Sequence, residues 1–175
     1  MILVTVGSFR FDALIKRVDE LAATGFFGKE PVIAQIGSGE YMPKHMEYFR
    51  YRTDIGLLYD KASLAICHGG PATMAAFLRR GCPFVAVANP SLADNHQSDT
   101  LAAMHRRDWC TWCQSLDDLP QALRHAFSAR VPDTHMQLSC SIANFFRERT
   151  GAKLGRGSRA IVVACSRPAG MEGST

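Results

Sequence analysis

The chain has 175 residues, of which 47% are hydrophobic and 21% charged, and a formal net charge of +4. That suffices for one domain with a full core. The charge suits an anionic nucleotide or an acidic membrane surface but is too small to argue for nucleic acid. No apolar run approaches the roughly 20 residues of a membrane span, so the chain is not expected to cross a bilayer by itself.

The first residues lack a basic n-region, and 2–6 (Ile-Leu-Val-Thr-Val) read as a buried parallel-type strand ended by Gly7-Ser8. A helix follows from about Phe11, with Leu14, Ile15, Val18, Leu21 and Ala22 at 3.6-residue spacing. Pro31 opens a second strand over 32–36, which ends at Gly37-Ser38-Gly39. Residues 48–52 suit a short third strand and 54–60 a short helix. The next unit is the clearest: a strand over 63–67, a glycine-rich turn at 68–70, and a helix over 71–80. Pro71 in its first turn and Gly81 just past its end are the expected asymmetry. A strand over 84–88, a helix over 95–107, a strand over 109–112 and helices over 116–127 and 135–149 complete the pattern.

Repeated strand, turn and helix, with apolar strands covered on both sides, predicts an α/β Rossmann-like parallel open sheet. Residues 1–150 are expected to form this domain. The tail 151–175 carries five glycines and is expected to be flexible; its apolar run 160–165 would dock on the domain or a partner, or is an unselected extension. The six cysteines are Cys67, Cys82, Cys110, Cys113, Cys140 and Cys165. Cys110 and Cys113 have CxxC spacing without a second pair, so reduced core thiols are expected rather than a metal or redox site.

Ligands of such sheets sit at the carboxyl ends of strands, which brings Gly7-Ser8, Gly37-Ser38-Gly39 and 68–72 to one crevice. In His68-Gly69-Gly70-Pro71-Ala72-Thr73 the glycines allow a tight turn and close backbone approach. The N–H groups of Ala72 and Thr73 lack intrahelical partners, and with the helix dipole they make an anion site suited to a diphosphate. Thr73 adds a hydroxyl, and His68 is placed to donate to a phosphate or a sugar. A plain glycine-rich turn would look the same from spacing alone, and neither a P-loop nor G-x-G-x-x-G is present. A second polar row, Asp94-Asn95-His96-Gln97, caps the helix after the fifth strand and suits recognition of sugar hydroxyls.

Ordered along residues 1 to about 128, several elements resemble the carboxyl-terminal half of family 28 glycosyltransferases. They are Val4-Thr5-Val6-Gly7-Ser8 with Phe11-Asp12-Ala13-Leu14; Ala34-Gln35-Ile36-Gly37 with Tyr41 and Pro43; Ala65-Ile66-Cys67-His68-Gly69-Gly70; Gly81-Cys82-Pro83; and Asn95-His96-Gln97. The chain is similar above all to the small catalytic subunits of two-part UDP-N-acetylglucosamine and exopolysaccharide (PssE-type) enzymes. The resemblance implies a single GT-B half-domain that binds a UDP-sugar, with no metal and no cofactor. It places His68, Gly69, Gly70, Pro71, Ala72 and Thr73 at the diphosphate and ribose side, His96 and Gln97 at the sugar, and Gly7 and Ser8 facing the cleft. Many relatives carry a ribose-binding glutamate where this chain has Ala76.

The implied reaction transfers N-acetylglucosamine or glucuronic acid from UDP to a lipid-linked acceptor at the cytosolic membrane face. A membrane-anchored partner subunit would carry the acceptor site. No general base stands out; His68 is the candidate catalytic residue. The competing readings are a non-catalytic nucleotide-binding regulatory module, which Ala76 favours, and an unrelated doubly wound domain such as a flavodoxin-like binder.

Overall fold

Six short runs become strands, of which the four inner ones are rich in valine, isoleucine, leucine and alanine and are covered on both faces. In the computed structural model, which describes residues 1–90, 96–128 and 145, these are β1 (Ile2–Thr5), β2 (Val32–Gln35), β3 (Glu47–Phe49), β4 (Leu64–His68), β5 (Phe84–Val87) and β6 (Thr111–Cys113). They form one sheet in the order β3-β2-β1-β4-β5-β6, with every neighbouring pair parallel. The helices are α1 (Asp12–Ala23), α2 (Ile55–Lys61), α3 (Pro71–Arg80), α4 (His96–His105) and α5 (Leu119–Ser128).

Side chains alternate across the pleat, so each strand feeds two cores. Ile2, Val4, Ile66 and Val85 pack with Leu14, Ile15 and Val18 of α1 and Leu123 of α5. Leu3, Ala65, Phe84 and Ala86 pack with Met74 and Phe77 of α3 and Leu101 and Met104 of α4. A fully buried leucine or isoleucine contributes ~1.5–3 kcal/mol, so β1, β4 and β5, which are buried along their whole length, anchor the fold.

Two carboxylates on α1 strap down the segment after β2. Asp12 Oδ1 accepts from the N–H groups of Glu40 and Tyr41, at 2.9 and 3.1 Å. The buried Asp19 accepts from the Tyr41 hydroxyl at 2.8 Å and from the N–H groups of Lys44 and His45. Burial pushes the Asp19 pKa up, but these donors outweigh it and hold the carboxyl below its ordinary value.

The sixth strand begins two residues later than the sequence suggests. The turn after α4 closes on Asp108 at φ 55°, a left-handed position usually taken by glycine, with Trp109 N–H donating back to the Met104 carbonyl. The chain comes out of that turn before it extends. Leu116–Asp118 form a 3-10 turn ahead of α5 rather than its first turn. The expected helix over 135–149 and the tail lie outside the described residues, apart from Phe145, which is helical and packs on Trp109.

Cys110 and Cys113 belong to opposite cores, so the CxxC spacing does not bring them together across the strand. Cys67, Cys82, Cys110 and Cys113 are buried free thiols. Among the described residues no cluster of three metal-ligating side chains occurs, and no helix is long and apolar enough to cross a membrane.

Candidate functional site

The strand order reverses between β1 and β4, so the loops after these two strands diverge and leave a crevice at their carboxyl ends. Gly7 stands on one side at φ 62°, and the turn 68–70 on the other. Gly70 N–H closes on the His68 carbonyl at 2.6 Å, and Gly69 N–H donates to the Val87 carbonyl at 3.1 Å. The turn's own donors are thereby spent. No partner among the described residues takes the N–H of Ala72 or Thr73. These two point from the start of α3 with the positive end of its dipole.

His68 ends β4 and is 3% exposed. Its ring lies between two glycines. A Cβ on Gly7 would come within 3.2 Å of His68 Cε1, and one on Gly70 within 2.6 Å of Nε2. Phe9 leans on the same ring, with centroids 5.6 Å apart. His68 Nδ1 is buried without a hydrogen-bond partner. Burial lowers the imidazole pKa and so favours the uncharged ring. Gly69 needs its missing side chain for a different reason, since a Cβ there would meet Leu101 of α4 at 3.2 Å.

Gly37 is brought behind the crevice rather than onto its rim. It is buried at φ 55°, and a Cβ there would strike the Phe9 carbonyl and lie 2.8 Å from the Gly7 carbonyl. Arg50 ties the same turn from outside, donating to the Gly37 and Gly39 carbonyls at 3.2 and 2.7 Å. Ser8, Pro71 and Ala72 are exposed on the rim. Thr73 is half-buried beside Tyr59, whose pKa is raised by burial and pulled back by the hydroxyls of Thr73 and Thr5. Ala76 is 7% exposed, so protein covers that position.

Of the second polar row, Asp94 and Asn95 lie outside the described residues, as does the side chain of His96, which opens α4. Gln97 lines a cavity of about 410 Å³ at the carboxyl end of β5. Phe11, Ala13, Val87, Ala88, Pro90 and Leu116 supply its apolar walls, and Asn89, Gln97, Ser98 and Gln114 its polar groups. Val87 pairs in register with His68, so the cavity adjoins the glycine turn. The Asn89 N–H donates to Gln97 Oε1 at 3.0 Å, and Asn89 Nδ2 to the Arg10 carbonyl at 2.9 Å. A main-chain N–H needs an oxygen opposite, which fixes the Gln97 amide and leaves its NH₂ as the end available to a ligand. Every described lining residue is neutral.

Sequence reading did not single out Phe9, Asn89 or Gln114. Asn89-Pro90 just past the end of β5 is a local signal for the second of these, since open sheets bind ligands at such positions. Gln114 follows the edge strand and is brought in only by tertiary structure.

The family model described as the glycosyltransferase family 28 C-terminal domain matches residues 1–136. The chain is 31% identical over 122 residues to the UDP-N-acetylglucosamine transferase subunit ALG13 of Homo sapiens, across 64% of this chain and 11% of that protein. It is 29% identical over 120 residues to the subunit of the same name from Mus musculus, across 63% of this chain and 10% of that protein. The chain thus spans about a tenth of the length of these relatives. Among solved structures, the NMR structure of ALG13 superposes with a TM-score of 0.59 at 20% identity, covering 82% of this chain and 92% of that one. The glycotransferase of kitacinnamycin gives 0.59 at 18% identity, covering 85% and 39%. At these identities the structural likeness is one of fold.

Proposed function

The chain belongs to the glycosyltransferase family 28 C-terminal domain family, and from that premise we propose that it is the donor-binding subunit of a two-part glycosyltransferase. It moves N-acetylglucosamine from UDP to a hydroxyl of a lipid-linked acceptor, in oligosaccharide or exopolysaccharide synthesis. The observation that carries this reading is the junction of the His68-to-Thr73 turn with the neutral cavity at Gln97. The turn takes the diphosphate through the free N–H groups of Ala72 and Thr73. As the glycosidic bond breaks, negative charge grows on the departing UDP, and the α3 N-terminus stabilises it without reorganisation. Gly7 and Ser8 face this diphosphate across the crevice, and Gly37 serves the site by holding their loop in place.

The cavity chooses the sugar. Its apolar walls suit an acetamido methyl group, while the Gln97 NH₂ donates to the acetamido carbonyl. A glucuronate carboxylate would enter the same space with no cation among the described lining residues, losing hydration without compensation. Asn95 and His96 complete the sugar contacts. Ala76 offers the ribose no side chain, so that contact is made elsewhere.

The acceptor hydroxyl must lose a proton. The cavity's described polar side chains are amides and a hydroxyl, and His68 is buried. A membrane-anchored partner subunit therefore supplies the general base and the main part of the acceptor site, and holds this chain at the cytosolic membrane face. The naming of the similar human and mouse proteins as subunits supports this division.

Calorimetry on the full chain, alone and with its partner, tests the donor site. UDP-N-acetylglucosamine should bind at least tenfold more tightly than UDP-glucuronate, a margin of about 1.4 kcal/mol. Equal affinities would overturn the sugar assignment, and absence of UDP binding by the complex would overturn the function. Full transfer activity by the isolated chain would overturn the partner requirement.

A further inference from the structure

The β1–α1 loop is held on every side. Phe9 N–H donates to the Val6 carbonyl at 3.2 Å, and its own carbonyl rests against Gly37. The next carbonyl, of Arg10, accepts from Asn89 Nδ2 at 2.9 Å. The Arg10 guanidinium is pinned by Asp12 and Glu40, both at 2.7 Å. So anchored, the loop nevertheless leaves Phe9 46% exposed at the mouth of the crevice, its ring backed by the buried imidazole of His68. An aromatic ring fixed in water at such a place has little motion left to lose when something covers it.

We propose that Phe9 is a stacking platform for a pyranose ring of the acceptor, a contact that rests on the glycosyl-transfer reading above. Pyranoses present a face of C–H bonds that packs on an aromatic ring, while their hydroxyls need polar groups around its edge. Phe9 has that setting, with Ser8 and Arg10 as its exposed sequence neighbours and no second exposed large apolar residue beside it in the loop. A protein interface is built otherwise, from several adjacent apolar anchors over a broad patch. The position also suits the chemistry. The ring touches His68, the residue that opens the diphosphate turn, so a sugar stacked on Phe9 stands at the reacting end of the donor.

The test titrates the full chain, loaded with UDP, with n-octyl N-acetyl-β-D-glucosaminide, a soluble stand-in for a lipid-linked sugar, and follows the sugar C–H protons by NMR. Upfield ring-current shifts of these protons are expected. In Phe9→Ala they should vanish and the glucosaminide should bind about tenfold more weakly, whereas Phe9→Trp should keep both. The UDP affinity of all three proteins should agree within about twofold, which also reports that the variants are folded. Ring-current shifts that survive in Phe9→Ala, or no glucosaminide binding by UDP-loaded wild type, would overturn the platform while leaving the donor site standing. Failure of the wild type to bind UDP would overturn the donor site, and this inference with it.

Discussion

Replacing Gly70 by alanine tests the crevice by one methyl group. The backbone there, at φ −73° and ψ 121°, is open to any residue, so the perturbation is steric alone. The new Cβ would stand 2.6 Å from His68 Nε2 and 2.9 Å from Cε1, about 1 Å inside ordinary contact distance. The imidazole has little room to retreat, since Gly7 also crowds its Cε1 and Phe9 lies against the ring. Overpacking of this kind costs about 2 kcal/mol. With a urea m value near 2 kcal/mol/M, the unfolding midpoint should fall by about 1 M. Moving the turn also misplaces the Ala72 and Thr73 donors, so UDP affinity measured by calorimetry should fall at least tenfold, equivalent to about 1.4 kcal/mol. The cause can be isolated in a double-mutant cycle. If the clash is with His68, Gly70→Ala should cost about 1–2 kcal/mol less in a His68→Ala background. A wild-type midpoint and UDP affinity in Gly70→Ala, or additive effects in the cycle, would refute the reasoning.

Gly37→Ala should be more costly, about 3 kcal/mol by urea denaturation, because it combines a left-handed backbone with collision against the Phe9 and Gly7 carbonyls. Asp19→Asn should lose about 2 kcal/mol at pH 7. Because the folded carboxyl titrates below its ordinary value of 3.8, the wild-type advantage should be full above that pH and shrink as the pH falls further, as pH-dependent melting would show. His68 titrates below its ordinary 6.5 when folded, so proton uptake below that value favours the unfolded chain. Wild type should therefore lose more stability than His68→Gln as the pH is lowered through this region. The thiols of Cys82, Cys110 and Cys113 are pushed up to about 11, 12 and 11 by burial. Peptide mapping after iodoacetamide at pH 8 should find these three unmodified in the native chain and modified in urea.

Much of this fold is legible in the sequence because local and tertiary demands agree. Pro71 and Gly81 bound α3 as the sequence suggests, and the continuous apolar runs of β1, β4 and β5 announce burial on both faces. Where they disagree, legibility fails. Asp108 closes the turn after α4 in a conformation whose usual mark is glycine, so the start of β6 is displaced. The glycine turn is legible as a close-approach element, but its reason is not. Gly70 makes room for His68, Gly69 for Leu101, and Gly37 for a carbonyl nearly thirty residues earlier in the chain. Tyr41, one of the residues carrying the family resemblance, serves as a strap onto α1. The cavity is the least legible part, since its polar groups come from three segments that only the sheet assembles.

The two edges of the sheet, β3 and β6, are only three residues long. A border that short gives an incoming strand almost no ladder to extend, so the sheet resists growth by addition. Assembly is thereby steered away from strand pairing. A second polypeptide must seat on helix flanks or on the loops crowning the strands, and the latter arrangement puts it where the crevice opens. Brevity at the margins thus does for recognition what a specific interface would otherwise have to do, by removing the simplest wrong way to associate.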